Sequence, residues 1–256
     1  LLGPRAGLVS GSALLVDYIL TISISIAAGV DAVFSLLPPS AQPYKLSSQV
    51  GLVVVLILLN LRGMKESIKV LLPIFLGFFL THAFLIVYGV LAHSEGLPHL
   101  IPDTIGETRQ LTEQMGWVFA AALFLRAYSL GGGTYTGLEA VSNNVNMLSE
   151  PRVKTGRYTM FYMAGSLSFT AGGVILLYLL WSVKPVEHQT LNAVAFSAII
   201  DSWGINPTLS HGLLAVVLLL EGGLLFVAAN TGFLGGPTVL ANMAVDSWVP
   251  RQFRNL

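Results

Sequence analysis

The 256-residue chain has no cysteine. That excludes disulfides, thiol nucleophiles and cysteine-ligated metals, and leaves the redox compartment open. Charge is scarce too. Only 10% of residues are Asp, Glu, Lys or Arg, against about 25% in a soluble domain. The formal net charge is zero and no basic run occurs, so nucleic acid is not an expected partner. No HExxH, GxSxG, P-loop or paired-carboxylate signature is present. Catalysis therefore has no candidate residue, and no cofactor or resident metal is expected beyond a monovalent cation. The chain opens Leu1-Leu2-Gly3-Pro4-Arg5, without Met or a signal-peptide basic region. It ends Arg254-Asn255-Leu256 just after an apolar segment. It reads as an internal piece of a longer protein.

What is plentiful is apolar sequence, 54% of residues. Several runs approach or exceed the ~20 residues that cross a bilayer. The expected fold class is all-α integral membrane, with six transmembrane helices in a single transmembrane domain covering 1–256. The spans fall at about 8–37, 46–61, 68–92, 116–148, 158–183 and 209–245. A surface helix is expected near 190–203, where Leu191, Val194, Ala195, Ala198 and Ile199 recur at helical spacing. The loop His93–Met115 is solvated, with a short helix expected near Glu107–Met115. Lys and Arg alternate between loops. Arg5, Arg62, Lys65, Lys69, Arg152, Lys154, Arg157, Arg251 and Arg254 lie on one side, and only Lys45, Arg109 and Lys184 on the other. Nine against three puts both ends in the cytoplasm of a multi-pass cell-membrane protein.

The fourth span contains Gly131-Gly132-Gly133-Thr134-Tyr135-Thr136-Gly137. Each interior glycine costs about 1 kcal/mol of helix propensity against Ala. Broken helix at membrane depth is tolerated only where it is buried in protein or lines a cavity. The run therefore reads as an unwound break whose freed backbone groups, with the hydroxyls of Thr134, Tyr135 and Thr136, meet a solute. The alternative is close helix packing through small residues, as Gly133 and Gly137 would allow. Glu139 opens the second half-helix, where the positive dipole end favours a carboxylate.

Asp17, Thr21 and Ser25, with Tyr18 beside them, follow the i, i+4, i+8 rule of one helix face. A carboxylate with hydroxyls one and two turns away suits a cation or a proton. The alternative is a buried Asp bonded to a neighbouring helix, with Ser and Thr bonded to their own backbone. Asn230 and Thr231 stand beside Gly235-Gly236-Pro237 and form a second candidate polar lining; a proline kink with glycine packing explains them equally. Glu221-Gly222-Gly223 is a candidate for proton coupling, against helix packing through the two glycines. Asp31 belongs near the outer end of the first span, with Arg126 as a candidate partner, and His82 reads as a packing residue before a proton relay.

These segments resemble a family. Gly131 to Asn143 is similar to the broken sixth helix of amino acid–polyamine–organocation permeases. Leu14 to Thr21 resembles their third helix, and Asn60 to Ser67 the inner loop between helices four and five. Ala228-Ala229-Asn230-Thr231 with Asp246 to Arg251 resembles the eighth helix and its inner end. The resemblance implies a LeuT-type fold of two inverted five-helix repeats, of which this chain matches helices three to eight. The remaining helices of the full-length protein are then its partners, together with the lipid bilayer and a small-molecule or ion substrate. Asp17, Tyr18, Thr21 and Ser25 resemble the ion-lining helix of the KUP-like potassium–proton importers. The implied function is secondary active transport by alternating access, coupled to H+, Na+ or K+. The solute would meet Tyr18 and Gly131 to Gly137. The coupling ion or proton would meet Asp17, Thr21, Ser25, Asn230, Thr231 and Glu139. The breadth of the family points first to an amino acid as substrate, with potassium–proton symport as the alternative. A non-transporting sensor or scaffold is the rival of another class.

Overall fold

The computed structural model describes residues 3–62, 68–131, 141 and 148–255. Every regular element among them is helical. In order they are α1 (Pro4–Phe34), a 3-10 turn Pro39–Tyr44, α2 (Lys45–Leu61), α3 (Ile68–Ala92), a 3-10 turn Ser94–Gly96, α4 (Leu97–Met115), α5 (Trp117–Gly131), α6 (Arg152–Leu180), α7 (Leu191–Asp201), α8 (Pro207–Val245) and a closing 3-10 turn Arg251–Asn255. Among the described residues, five segments are long and apolar enough to cross a membrane: Arg5–Phe34, Pro39–Leu61, Leu72–Ala92, Arg152–Leu180 and Pro207–Val245. The protein is an all-α, multi-pass membrane protein. α8 has 39 residues, about 58 Å at 1.5 Å per residue, so it outruns a ~30 Å hydrocarbon core unless it tilts.

α4 is longer than the sequence led us to expect, beginning at Leu97 instead of near Glu107. Pro98 falls in its first turn, where a missing N–H is no loss. Pro102 removes one ladder bond, and the exposed helix leaves the freed carbonyl to water. α7 forms inside the expected surface segment. Thr190 caps it, its Oγ1 accepting from the Ala193 N–H at 3.2 Å.

The chain divides into two compact units. The first comprises Leu1–Phe79, Val186–Ala193 and Pro207–Leu256. Its axis is the antiparallel pair α1 and α8. Lipid supplies no hydrophobic drive between helices, so close packing through small residues must hold them. Contacts run Gly7 to Trp248, Gly11 to Met243, Tyr18 to Gly235, Ile22 to Gly232 and Gly29 to Gly222. The α1 members are spaced alternately four and seven residues apart, which keeps one face of a helix on its neighbour. A methyl group on Gly235 would lie 2.6 Å from the Tyr18 ring. One on Gly222 would lie 3.1 Å from the Gly29 carbonyl oxygen. Two small cores flank this seam. Ile26, Val30 and Phe34 of α1 meet Leu56 of α2 and Ala229 of α8; Tyr18 meets Val239 and Met243. Leu56 is the only buried residue of α2. Leu46, Val50, Val54, Leu58 and Leu61 of that helix are exposed, as lipid-facing side chains are.

The second unit comprises Leu80–Pro185 and Val194–Asn206, and α3 continues into it at Leu80. Gly89 accepts the Leu177 side chain, and its carbonyl takes a 3.0 Å bond from Trp181 Nε1. Ile86 packs on Gly173. Buried His82 stands edge-on to Phe196 at 5.0 Å, and Phe84 and Tyr88 both meet Trp203 in T-shaped contacts.

The seam yields a test. Gly235→Ala in the full-length protein should lower the thermal unfolding midpoint in detergent, with an overpacking cost of about 1–3 kcal/mol. Gly212→Ala on the same helix, where an added methyl meets nothing within 4 Å, should leave the midpoint unchanged or raise it slightly.

Candidate ion and solute site

The α1 face carries most of the described candidates. Tyr18 is buried, and its ring lies on Gly235 of α8. That contact fixes the rotation of α1. One position back, Asp17 is half-buried, and its Oδ2 is buried without a hydrogen-bond partner among the described residues. Thr21, a turn on, is half-buried, and Ser25, two turns on, is buried. Ser25 opens into a cavity of about 430 Å³ between α1, α2 and α8, edged by Gly29, Ser48, Gly51, Gly222 and Phe226. The cavity is mostly apolar, and Ser48 Oγ is committed to the Tyr44 carbonyl at 3.0 Å. The polar end of this face is therefore Asp17, and its apolar end is the cavity.

Asn230 and Thr231 part ways. Asn230 is buried, and its Oδ1 accepts from Asn60 Nδ2 at 2.7 Å. Asn60 also donates to the Leu56 carbonyl at 2.9 Å. Thr231 is exposed, and its hydroxyl donates to the Ala228 carbonyl of its own helix. Asn60 was not among the residues singled out as a site. The signal was there: it is the lone amide in an otherwise apolar run from Leu52 to Leu61, where a polar group bonds across helices.

Gly131 is the last described residue of α5, and an added methyl there meets nothing within 4 Å. Gly132, Gly133, Thr134, Tyr135, Thr136, Gly137 and Glu139 lie outside the described residues. Asp31 has a different partner from the one anticipated. Lys45 Nζ stands 2.8 Å from its Oδ1, and Gln49 Nε2 donates to the same oxygen at 3.3 Å. Arg126 is exposed on α5. The Asp31–Lys45 pair is about a third exposed on both sides, so its net worth is small.

With this geometry in view, comparison with known proteins gives the class. The family model for amino acid permeases matches residues 1–256. The chain belongs to that family, in the amino acid–polyamine–organocation superfamily of membrane transporters. It is 32% identical to the potassium transporter KimA of Bacillus subtilis (strain 168) over 98% of its own length. The match covers 39% of KimA, so the chain spans well under half of that relative.

The Asn60–Asn230 bond is measurable. A double-mutant cycle of Asn60→Ala and Asn230→Ala, read by thermal or denaturant unfolding, should give a coupling of about 1 kcal/mol. A coupling near zero would show that the amides bond to other groups in the full-length protein.

Proposed function

We propose that this chain is part of a secondary transporter of LeuT-type fold that moves potassium by alternating access, driven by protons. The observation that carries the reading is Asp17, whose buried Oδ2 has no hydrogen-bond partner among the described residues, one position before Tyr18 and one turn before Thr21. An ionised carboxylate at this depth costs at least about 2.5–3.5 kcal/mol, and a bound cation or proton removes that cost. An ionised carboxylate is acceptor-only, and a hydroxyl offers two lone pairs. Such a lining suits a bare cation stripped of water. An amino acid needs donors for its carboxylate as well, and this face offers it hydroxyls but no cationic group.

The name borne by the similar protein, a potassium transporter, supports the same substrate. The second reading, an amino acid substrate, is favoured by the description of the matching family. It would draw its donors from the freed amides of Gly131 to Gly137. In either case Tyr18 and the glycine run face the solute. Asp17, Thr21 and Ser25 hold the ion or proton, and Asn230, Thr231 and Glu139 border the path. The helices beyond this chain complete the site. The Lys and Arg distribution puts both chain ends on the cytoplasmic side.

The experiment is uptake by the full-length protein in a potassium-uptake-deficient strain. The wild type should restore growth at low potassium, and Asp17→Asn should lower the uptake rate at least tenfold with expression unchanged. Unchanged uptake in Asp17→Asn removes the role given to Asp17. Uptake of a labelled amino acid, with no response to potassium, replaces the potassium reading by the amino acid one.

A further inference from the structure

We infer that Glu221 is a proton-binding group of the transport cycle and that Asn192 positions it. This inference rests on the transport reading above and deepens it. Glu221 lies fourteen positions into α8, far from either end of that helix. Its Oε1 accepts a 2.6 Å hydrogen bond from Asn192 Nδ2. Asn192 belongs to the segment Val186–Ala193, which the Thr190 N–H ties to Ser35 Oγ at 3.0 Å. Ser35 Oγ in turn donates to the Asp31 carbonyl at 2.8 Å. One short segment thus bridges the C-terminal end of α1 and the carboxylate of α8, on the side the charge distribution makes external.

The chemistry of the pair selects the ligand. One carboxylate and one amide supply too few oxygens to replace the hydration shell of a metal cation. A proton needs only one. The Asn192 N–H can donate to a carboxylate and also to the carbonyl oxygen of the acid, so the bond survives both states. In the protonation step a hydronium ion from the outer water gives its proton to the carboxylate, leaving water and a neutral acid. Release to the other side reverses it. The neighbouring residue Gly222 packs main chain to main chain on Gly29 of α1, so the carboxylate sits beside the α1–α8 contact.

Other titratable groups lie on the elements packed here, and on the Val186–Ala193 segment itself Glu187 stands 3.5 Å from His188. On α1, Asp31 is engaged with Lys45 of α2, and Asp17 lies about four turns from Asp31 towards the N-terminus. α3, which packs on α8 through Gly77 and Leu220, carries His82. α7 carries Asp201, which accepts from Ser197 Oγ at 3.1 Å. On α8 itself the nearest is His211, whose Nδ1 lies 2.7 Å from the Pro207 carbonyl.

The test uses the full-length protein in liposomes, with labelled rubidium as the potassium probe. Glu221→Gln keeps the shape and the acceptor for Asn192. It should lose at least tenfold of the accumulation driven by external acid, while rubidium–potassium exchange without a pH gradient stays within about twofold. Asn192→Asp sets a second carboxylate against Glu221, so the two share a proton and the acid half-point of uptake should rise by about one pH unit. Accumulation by Glu221→Gln like the wild type, or loss of exchange as well in a variant that melts normally, overturns the proposal. Should Glu221→Gln not fold, an unchanged half-point in Asn192→Asp overturns it. A wild-type protein that exchanges no cation refutes the transport reading instead.

Discussion

In a bilayer the solvent is as apolar as the side chains, so helices gain little by merely hiding leucine. They must approach closely enough for dispersion to add up. The glycine-lined seam between α1 and α8 meets that demand. Tyr18 lies on Gly235 and Ile22 on Gly232, and together these contacts fix the rotation of α1. Asp17 inherits its orientation from its neighbour. The core of Ile26, Val30, Phe34, Leu56 and Ala229 then adds α2, and the Asn60–Asn230 bond fastens the same helix lower down.

The face of α1 changes character along its length. Near Tyr18 it offers a carboxylate oxygen with no partner among the described residues. Beyond Ser25 it borders a mostly apolar cavity. Electrostatic capacity is therefore concentrated near one level of the helix. A lining led by a carboxylate at that level discriminates between solutes by charge before size matters. It is the physical reason for weighing potassium above the amino acid that family breadth alone suggested.

Hydropathy made the spanning segments legible, because a run of apolar residues needs no tertiary information. The i, i+4 spacing made the Asp17 face legible for the same reason. α4 was underestimated because Pro98 and Pro102 read as breakers, and only the position of Pro98 within the first turn shows it to be harmless. Pairings were not legible. Asn60 finds Asn230 across 170 positions, and Asn192 finds Glu221 across 29. An apolar run marks Asn60 as an amide that bonds across helices, but nothing local names the partner it finds. Arg126 was the candidate partner of Asp31 on sequence grounds, and the fold brings Lys45 to it instead.

Two points on the α1–α8 contact differ mechanically. At Tyr18 a ring is keyed over Gly235, while at Gly29 one main chain runs against another with no side chain between them. Eleven residues separate the two points, about 16 Å along the helix. A helix keyed by side chains from Gly7 to Ile22 and meeting bare main chain at Gly29 is held along most of its length and freest beyond Ile22. A rotation of roughly 10° about Ile22 carries Gly29 through about 2 Å, enough to loosen one set of hydrogen bonds. The level of Asp17, on the held part, stays almost still while that happens.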